Sequence, residues 1–176
     1  MKRLKLHELG RLSDEEFKKK RKSELVLVLD NIRSMHNVGS VFRTADAFLA
    51  RKIMLCGITA CPPHREIMKT AIGAQNTVEW TYFEKTETAL KQLKKEGYTI
   101  VALEQTTRSE MIQNFIWPKK TALILGNEVD GVSDASLAIT DTALEIPQLG
   151  TKHSLNVSVS AGMAMWEYAK KHSIQE

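Results

Sequence analysis

Two polar loops carry the residue types from which this chain could build a ligand pocket. One loop begins Gly126-Asn127-Glu128 directly after a short apolar run, residues 122–125. The other follows a second apolar run, residues 143–146, and contains Ser154-Leu155-Asn156. Short apolar runs that stop at glycine or proline are typical of buried β-strands, and these two are expected to be neighbours. Because ligands of open α/β sheets bind beside the carboxyl ends of the strands, the two loops are predicted to form a cofactor pocket.

Motifs of several other chemistries are missing. Cys56, Cys61 and His64 are close in sequence, but no fourth ligand lies at a recognised zinc spacing. The chain contains no G-x-S-x-G segment of a serine hydrolase, no G-x-G-x-x-G and no P-loop. We therefore expect no metal site, and neither nicotinamide nor nucleoside-triphosphate chemistry.

Alternating strands and helices are expected to position the two loops. The continuous apolar run at residues 25–29 is typical of a strand covered on both faces. Asn37 is expected to cap a helix over residues 38–49, on which the apolar side chains share one stripe and Arg43 points away from the sheet. Further strands are predicted over residues 52–56, 78–83 and 98–103, and further helices over residues 62–73 and 86–96. The alternation predicts an α/β fold with a mainly parallel sheet and helices on both faces.

The last element has two interpretations. Residues 155–161 alternate with the period of a strand, yet residues 161–172 contain helix-forming residues and no proline. We expect a helix from about Leu155, capped by Ser154. Close approach of another helix, and thus a homodimer contact, is suggested by three small residues of this segment, Ser158, Ala161 and Gly162.

The charge of the chain is concentrated near its start. The net charge is +4, and residues 1–24 contain nine basic and five acidic residues, so this excess of four accounts for all of it. Residues 1–24 are interpreted as a basic helical extension that contacts a nucleic-acid phosphate backbone, and residues 25–176 as the main domain. The alternative for the extension is a solvated charged helix, since residues 13–16 read as a capping box. With two cysteines, no secretory segment and no apolar run of membrane length, the chain is expected to be cytoplasmic and free of membrane contact.

Three segments occur in a fixed order: residues 37–44 (NVGSVFRT), residues 125–131 (LGNEVDG), and residues 146–150 (IPQLG) with 154–158 (SLNVS). Together they resemble the three motifs of the SpoU/TrmH family of RNA ribose methyltransferases. Each feature alone has an ordinary explanation, because Arg43 resembles an exposed helix arginine and Glu128 a loop carboxylate. The ordered combination is specific, and the resemblance covers nearly everything from residue 25 to residue 166.

The resemblance implies a SPOUT fold, a parallel α/β sheet whose carboxyl-terminal part forms a deep trefoil knot, and usually a homodimer. It implies transfer of the methyl group of S-adenosylmethionine to a ribose 2'-hydroxyl in tRNA or rRNA. Catalytic roles are implied for Asn37, Arg43, Glu128, Ser154 and Asn156, and cofactor contacts for Leu103, Gly126, Ile146 and Leu155.

These residue types suit the implied reaction. A guanidinium cannot readily accept a proton, so Arg43 is expected to anchor the adjacent phosphate and stabilise the developing oxyanion. A phosphate oxygen, water or another group then accepts the proton. Gly126 would leave the backbone open to a cofactor, and Ile146 and Leu155 would supply apolar walls for an adenine.

Two positions depart from the family pattern, Gln148 where many relatives have methionine and Val129 where glycine is frequent, and neither removes a group with a chemical role. No separate RNA-binding domain precedes residue 25, so RNA contact is expected from the basic segment, the main domain or a partner protein. Two alternatives stay open: an RNA-binding or assembly factor that keeps the fold without catalysis, and a SPOUT enzyme that methylates a base.

Overall fold

Seven β-strands form the centre of the protein, as seen in a computed structural model that describes residues 1–172 apart from the side chain of Leu6. In chain order they are β1 (Leu25–Asp30), β2 (Lys52–Cys56), β3 (Trp80–Phe83), β4 (Thr99–Leu103), β5 (Glu110–Met111), β6 (Thr121–Leu125) and β7 (Thr142–Glu145). They form one sheet in the order β3-β2-β1-β6-β4-β7-β5. Each pair of neighbouring strands is parallel, which confirms the predicted sheet type.

Helices cover both faces of this sheet, as predicted. They are α1 (Asp14–Lys19), α2 (Met35–Ala47), α3 (Arg65–Ala71), α4 (Thr86–Lys95), α5 (Asp134–Leu137) and α6 (Val157–His172), with 3₁₀ turns at Leu6–Leu9, Ala74–Asn76 and Ile112–Asn114. Helices α2, α3 and α6 pack on one face, and α4 with α5 on the other. Within the described residues, none of these helices has the length and apolar character needed to cross a lipid bilayer.

Burial on both faces explains the continuous apolar sequence of β1. Leu25, Leu27 and Leu29 pack into the cluster beneath α2, α3 and α6, whereas Val26 and Val28 pack into the cluster beneath α4. Burying each of these side chains fully contributes about 1.5–3 kcal/mol to folding. The core therefore continues through the sheet, and β1 and β6 lie at its centre.

The prediction that β6 and β7 are neighbouring strands is wrong, because β4 lies between them. Leu103 of β4 is in register with Leu125 of β6 on one side and with Leu144 of β7 on the other. An apolar run identifies a buried strand but carries no information about which other strand it pairs with. The prediction also lacks β5 and α5, which are too short, at two and four residues, to show a period.

Helix α3 begins at Arg65 rather than at the prolines, since the His64 side chain accepts the Glu66 N–H at 3.2 Å and caps the helix. The predicted capping box of α1 is confirmed, because Ser13 and Glu16 exchange hydrogen bonds between side chain and backbone. Phe17 of the same helix is 5% exposed and joins the core beneath α2. The deep trefoil knot stays a prediction.

Replacing Gly39 by alanine is expected to lower the free energy of unfolding by about 1–3 kcal/mol, the cost of overpacking a close contact. A Cβ on Gly39 of α2 would overlap Thr70 and the backbone of Ile67 in α3. The matched control is Gly162→Ala in α6, where the nearest atom to the new Cβ is 3.9 Å away. The control should gain up to about 1 kcal/mol of helix propensity. Urea unfolding followed by circular dichroism measures both, and equal stability of the two variants would refute this packing explanation.

Candidate active site

A cavity of about 700 Å³ opens at the carboxyl ends of β4, β6 and β7. The segments that follow Leu103, Leu125 and Glu145 all contribute to its walls. This confirms that the two polar loops meet at one pocket, although their strands are not neighbours. The end of β4 supplies a third wall between them, because β4 lies between β6 and β7 in the sheet.

The loop after β6 is held in shape by Asn127. Its side-chain oxygen accepts the N–H groups of Val129 at 2.8 Å and Asp130 at 3.2 Å, and its side-chain nitrogen donates to the Asn31 carbonyl at 2.7 Å. The backbones of Asn127 and Gly131 also pair as an antiparallel bridge. The loop therefore folds back on its own start.

Gly126 is required by this turn for a reason that the sequence does not reveal. A Cβ at Gly126 would overlap the backbone atoms of Gly131 and Val132 on the returning side of the loop. The missing side chain thus allows two backbone segments to pack together. That packing is a requirement of the fold in addition to any openness toward a cofactor.

Glu128 joins the loop after β6 to the start of α2. Its carboxylate accepts the N–H of Arg33 at 2.9 Å, the N–H of Ser34 at 3.0 Å and the side-chain amide of Asn37 at 2.9 Å. Burial acts to raise the pKa of Glu128, but the hydrogen bonds from Arg33, Asn37 and Ser34 outweigh it and hold that pKa below its ordinary range. A carboxylate with three donors and a lowered pKa is a poor general base, so Glu128 is suited to holding other groups in place.

Asn37 carries this connection on to the third motif. Its side-chain oxygen accepts the side-chain amide of Asn156 at 3.1 Å, while its own amide donates to Glu128. The network Glu128–Asn37–Asn156 therefore joins residues that are 91 and 119 positions apart in the chain. One residue from each of the three motifs belongs to it.

Two predicted helix caps next to this network are wrong. Ser34, not Asn37, caps α2, since its hydroxyl accepts the Asn37 N–H at 3.3 Å. Asn156, not Ser154, caps α6, since its side-chain oxygen accepts the Ser158 N–H at 2.9 Å. An asparagine side chain contains both a hydrogen-bond donor and an acceptor. The tertiary contacts of Asn37 and Asn156 decide which groups each side chain bonds to.

Seven of the nine predicted site residues line the cavity, namely Leu103, Gly126, Glu128, Ile146, Ser154, Leu155 and Asn156. Asn37 lies outside the lining and is connected to it through Glu128 and Asn156. Arg43 is not among the lining residues. It is exposed, as predicted, and lies six residues beyond Asn37, which is about 9 Å along the helix axis at ~1.5 Å per residue.

Two acidic residues at this end of the sheet are missing from the sequence-based site. Glu104 lines the cavity and accepts the Val132 N–H at 2.9 Å. Asp30 is 1% exposed, and its two oxygens accept the hydroxyls of Thr86 at 2.6 Å and Ser133 at 2.8 Å. Both residues end or directly follow a buried strand, and a carboxylate at that position is the signal that could have identified them.

The cavity lining is strongly acidic. Its carboxylates are Glu104, Glu128, Asp130, Asp134 and Glu145, and no lysine or arginine lines it within residues 1–172. The same part of the chain contains no group of three or more histidine, cysteine or acidic residues that could hold a metal ion. The electrostatic character of the cavity therefore suits a cationic ligand with some apolar surface rather than one rich in phosphate.

Comparison with known proteins identifies relatives over most of the chain. The sequence profile of the SpoU rRNA Methylase family matches residues 24–166. The mouse (Mus musculus) protein tRNA (guanosine(18)-2'-O)-methyltransferase TARBP1 is 32% identical over 85% of this chain and 10% of its own length. The 23S rRNA (guanosine-2'-O-)-methyltransferase RlmB of Neisseria meningitidis serogroup B is 31% identical over 86% of this chain and 60% of its own length. The solved structure of an AdoMet-bound rRNA methyltransferase from Sinorhizobium meliloti has a TM-score of 0.80 and 25% identity, over 88% of this chain and 60% of that one.

The fold is an open α/β sheet with a cavity at the carboxyl ends of parallel strands, the position at which such sheets bind ligands. Since the family profile covers far more than half of the sequence, the chain belongs to the SpoU rRNA Methylase family. It spans one tenth of the length of the mouse relative and 60% of the length of the Neisseria relative.

Proposed function

We propose that this protein is an S-adenosylmethionine-dependent methyltransferase that acts on a ribose 2'-hydroxyl in tRNA or rRNA. The observation that carries the proposal is the hydrogen-bonded network Glu128–Asn37–Asn156, which brings the three motifs together at one cavity. The names of the mouse and Neisseria relatives, one acting on tRNA and one on rRNA, support both substrate classes.

The cavity residues fit S-adenosylmethionine in size, polarity and charge. A volume of about 700 Å³ lies in the usual range of small-molecule sites. Leu103, Ile146 and Leu155 would hold the apolar part of the nucleoside, and the acidic lining favours a ligand with positive charge. The bound cofactor supplies an electrophilic methyl group on a positively charged sulfur.

The protein groups would then position the hydroxyl and stabilise its charge. The Arg43 guanidinium, which has N–H donors and no acceptor, is assigned to the phosphate beside the target ribose and to the developing oxyanion. Glu128 keeps its charge and holds Asn37 and the start of α2 in place, so it does not accept the hydroxyl proton. A phosphate oxygen of the RNA or a water molecule is the proposed proton acceptor.

A homodimer would complete this site. Arg43 lies on α2, away from the cavity of its own chain, and α2 packs beside α6. Helix α6 exposes an apolar stripe of Val159 (50%), Met163 (42%) and Trp166 (47%). We assign a second copy of this chain to that stripe, because the dimer would bring Arg43 of one subunit toward the cavity of the other. Sedimentation of Met163→Glu should show dissociation to monomers, and an unchanged dimer would contradict this interface.

Three measurements test the proposed reaction. Calorimetry should show binding of S-adenosylmethionine to the purified protein, and radiolabelled methyl should transfer from it to unmodified tRNA or rRNA. Mass spectrometry of the digested RNA should then locate the methyl group on ribose. A methyl group on a base would identify a base methyltransferase, and absence of cofactor binding would favour a non-catalytic RNA-binding factor.

Two free cysteines, Cys56 and Cys61, fit a reducing compartment and support a cytoplasmic site of action.

A further inference from the structure

Five consecutive basic residues, Lys18 to Lys22, follow the start of α1. Among the residues described, none of the five lies within 4.0 Å of a carboxylate, whereas Lys69, Lys94 and Lys170 each pair with one. Four of the five side chains are exposed. This segment is therefore a concentrated positive charge that forms no direct ion pair among the described residues.

The fold fixes the segment against the body of the protein. Phe17 is buried in the core, and the Lys22 ammonium donates to the Phe17 carbonyl and lies 3.4 Å from the centroid of its ring. Lys18 and Lys22 line a groove of about 550 Å³ together with Lys52 and residues 75–81. Glu79 is the single carboxylate in the lining within the described residues. The groove thus presents three ammonium groups on a positioned surface.

This basic groove lies at the opposite end of the sheet from the cavity. Lys52 begins β2 and Trp80 begins β3, whereas the cavity lies where β4, β6 and β7 end. Five residues of β2 at about 3.3 Å each, and two to four strand spacings of about 4.8 Å, place the groove roughly 20 to 25 Å from the cavity.

We propose that the basic groove binds phosphates of the substrate RNA at a second contact, roughly 20 to 25 Å from the cavity, so that the substrate is an RNA long enough to span both regions. The proposal rests on the proposed function for the identity of the ligand. The acidic cavity repels phosphates, so affinity for the RNA backbone must come from elsewhere on the surface. An RNA of two or three nucleotides is too short to reach both regions.

The test compares two double variants that remove the same charge. Lys18→Gln with Lys52→Gln changes the groove and leaves Lys22, which contacts Phe17, in place. Lys91→Gln with Lys95→Gln changes exposed lysines at α4 on the opposite face. Binding of unmodified tRNA transcripts and of a single-stranded RNA trimer is measured by fluorescence anisotropy from 0.05 to 0.5 M salt.

For tRNA, the groove variant should reduce the slope of log K against log salt by about 1.4–1.8, because each lost phosphate contact contributes about 0.7–0.9. By the same relation its affinity at 0.1 M salt should fall about 30-fold, whereas the control should stay within about three-fold. The trimer should bind weakly to all variants, with little effect of the groove substitutions.

Two results would overturn the proposal: an unchanged tRNA slope in the groove variant, or an equal loss of affinity in the α4 control. The readout is RNA binding, so it does not depend on methyl transfer. A protein that binds tRNA through the groove but transfers no methyl group would contradict the proposed reaction and leave the groove intact. Calorimetry with S-adenosylmethionine and circular dichroism confirm that each variant is folded with its cavity unchanged.

Discussion

Replacing Arg43 by alanine is expected to reduce methyl transfer by about 100- to 1,000-fold, the usual cost of removing one group that stabilises an oxyanion. The affinity for S-adenosylmethionine should stay within a few-fold of the wild-type value, because Arg43 does not line the cavity. Single-turnover assays and calorimetry separate the two effects. Arg65→Ala, at an exposed arginine that begins α3, is the matched control and should retain full transfer.

A mixing experiment decides whether Arg43 acts on the cavity of its own chain or on that of a partner. Arg43→Ala and Ile146→Glu, which puts a charge into the apolar cavity wall and leaves α2 in place, are each expected to be nearly inactive alone. If the arginine acts across the dimer, a mixed dimer contains one site with both groups intact. Random exchange of subunits should then restore about one quarter of wild-type activity. No restoration after exchange, with mixed dimers present, would contradict action across the interface.

Glu128→Gln is expected to have the second large effect. The carboxylate accepts three donors, from Arg33, Ser34 and Asn37, and a carboxamide must direct its own N–H₂ group toward at least one of them. We expect the free energy of unfolding to fall by about 1 kcal/mol, the lower end of the cost of an unsatisfied hydrogen-bonding group, because Glu128 is only partly buried. Methyl transfer should fall about 100-fold through displacement of Asn37 and α2. Glu84→Gln, at an exposed glutamate outside the cavity, is the control.

The pH dependence of this variant has a defined sign. The folded-state pKa of Glu128 is lowered, because the hydrogen bonds outweigh the effect of burial. Its stabilising contribution is therefore complete above the unfolded pKa of about 4.3 and is lost as the pH falls through the lowered folded value. The stability difference between wild type and Glu128→Gln should be largest near neutral pH and shrink in acid. A difference that grows in acid would contradict the ionised, hydrogen-bonded carboxylate.

The strands and main helices could be predicted because their signals are local. The continuous apolar run of β1 indicates burial on both faces, and the apolar stripe of α2 indicates which side of the helix faces the sheet. Pairing is not a local property, so the insertion of β4 between β6 and β7 could not be predicted. The short elements α5 and β5 are defined by tertiary contacts and give no period of their own.

The candidate site likewise has features that are local in the sequence and features that depend on distant residues. The residue types of the motifs could be selected from the sequence, but the network among them joins positions 91 and 119 residues apart. Asn37 is as good a cap by residue type as Ser34, and it is the bond to Glu128 that engages its side chain elsewhere. The sequence predicts Gly126 as a position without a side chain. It does not predict that the backbone of Gly131 and Val132 packs against this glycine.

The placement of β6 affects how the protein is made. This strand lies between β1 and β4, yet it is translated after both, so a nascent chain on the ribosome carries two hydrophobic strands whose shared partner has not been synthesised. Unpaired edges of this kind are where newly made chains aggregate, and chaperones bind such intermediates. Cofactor binding should therefore begin only after the carboxyl-terminal third of the protein has been released.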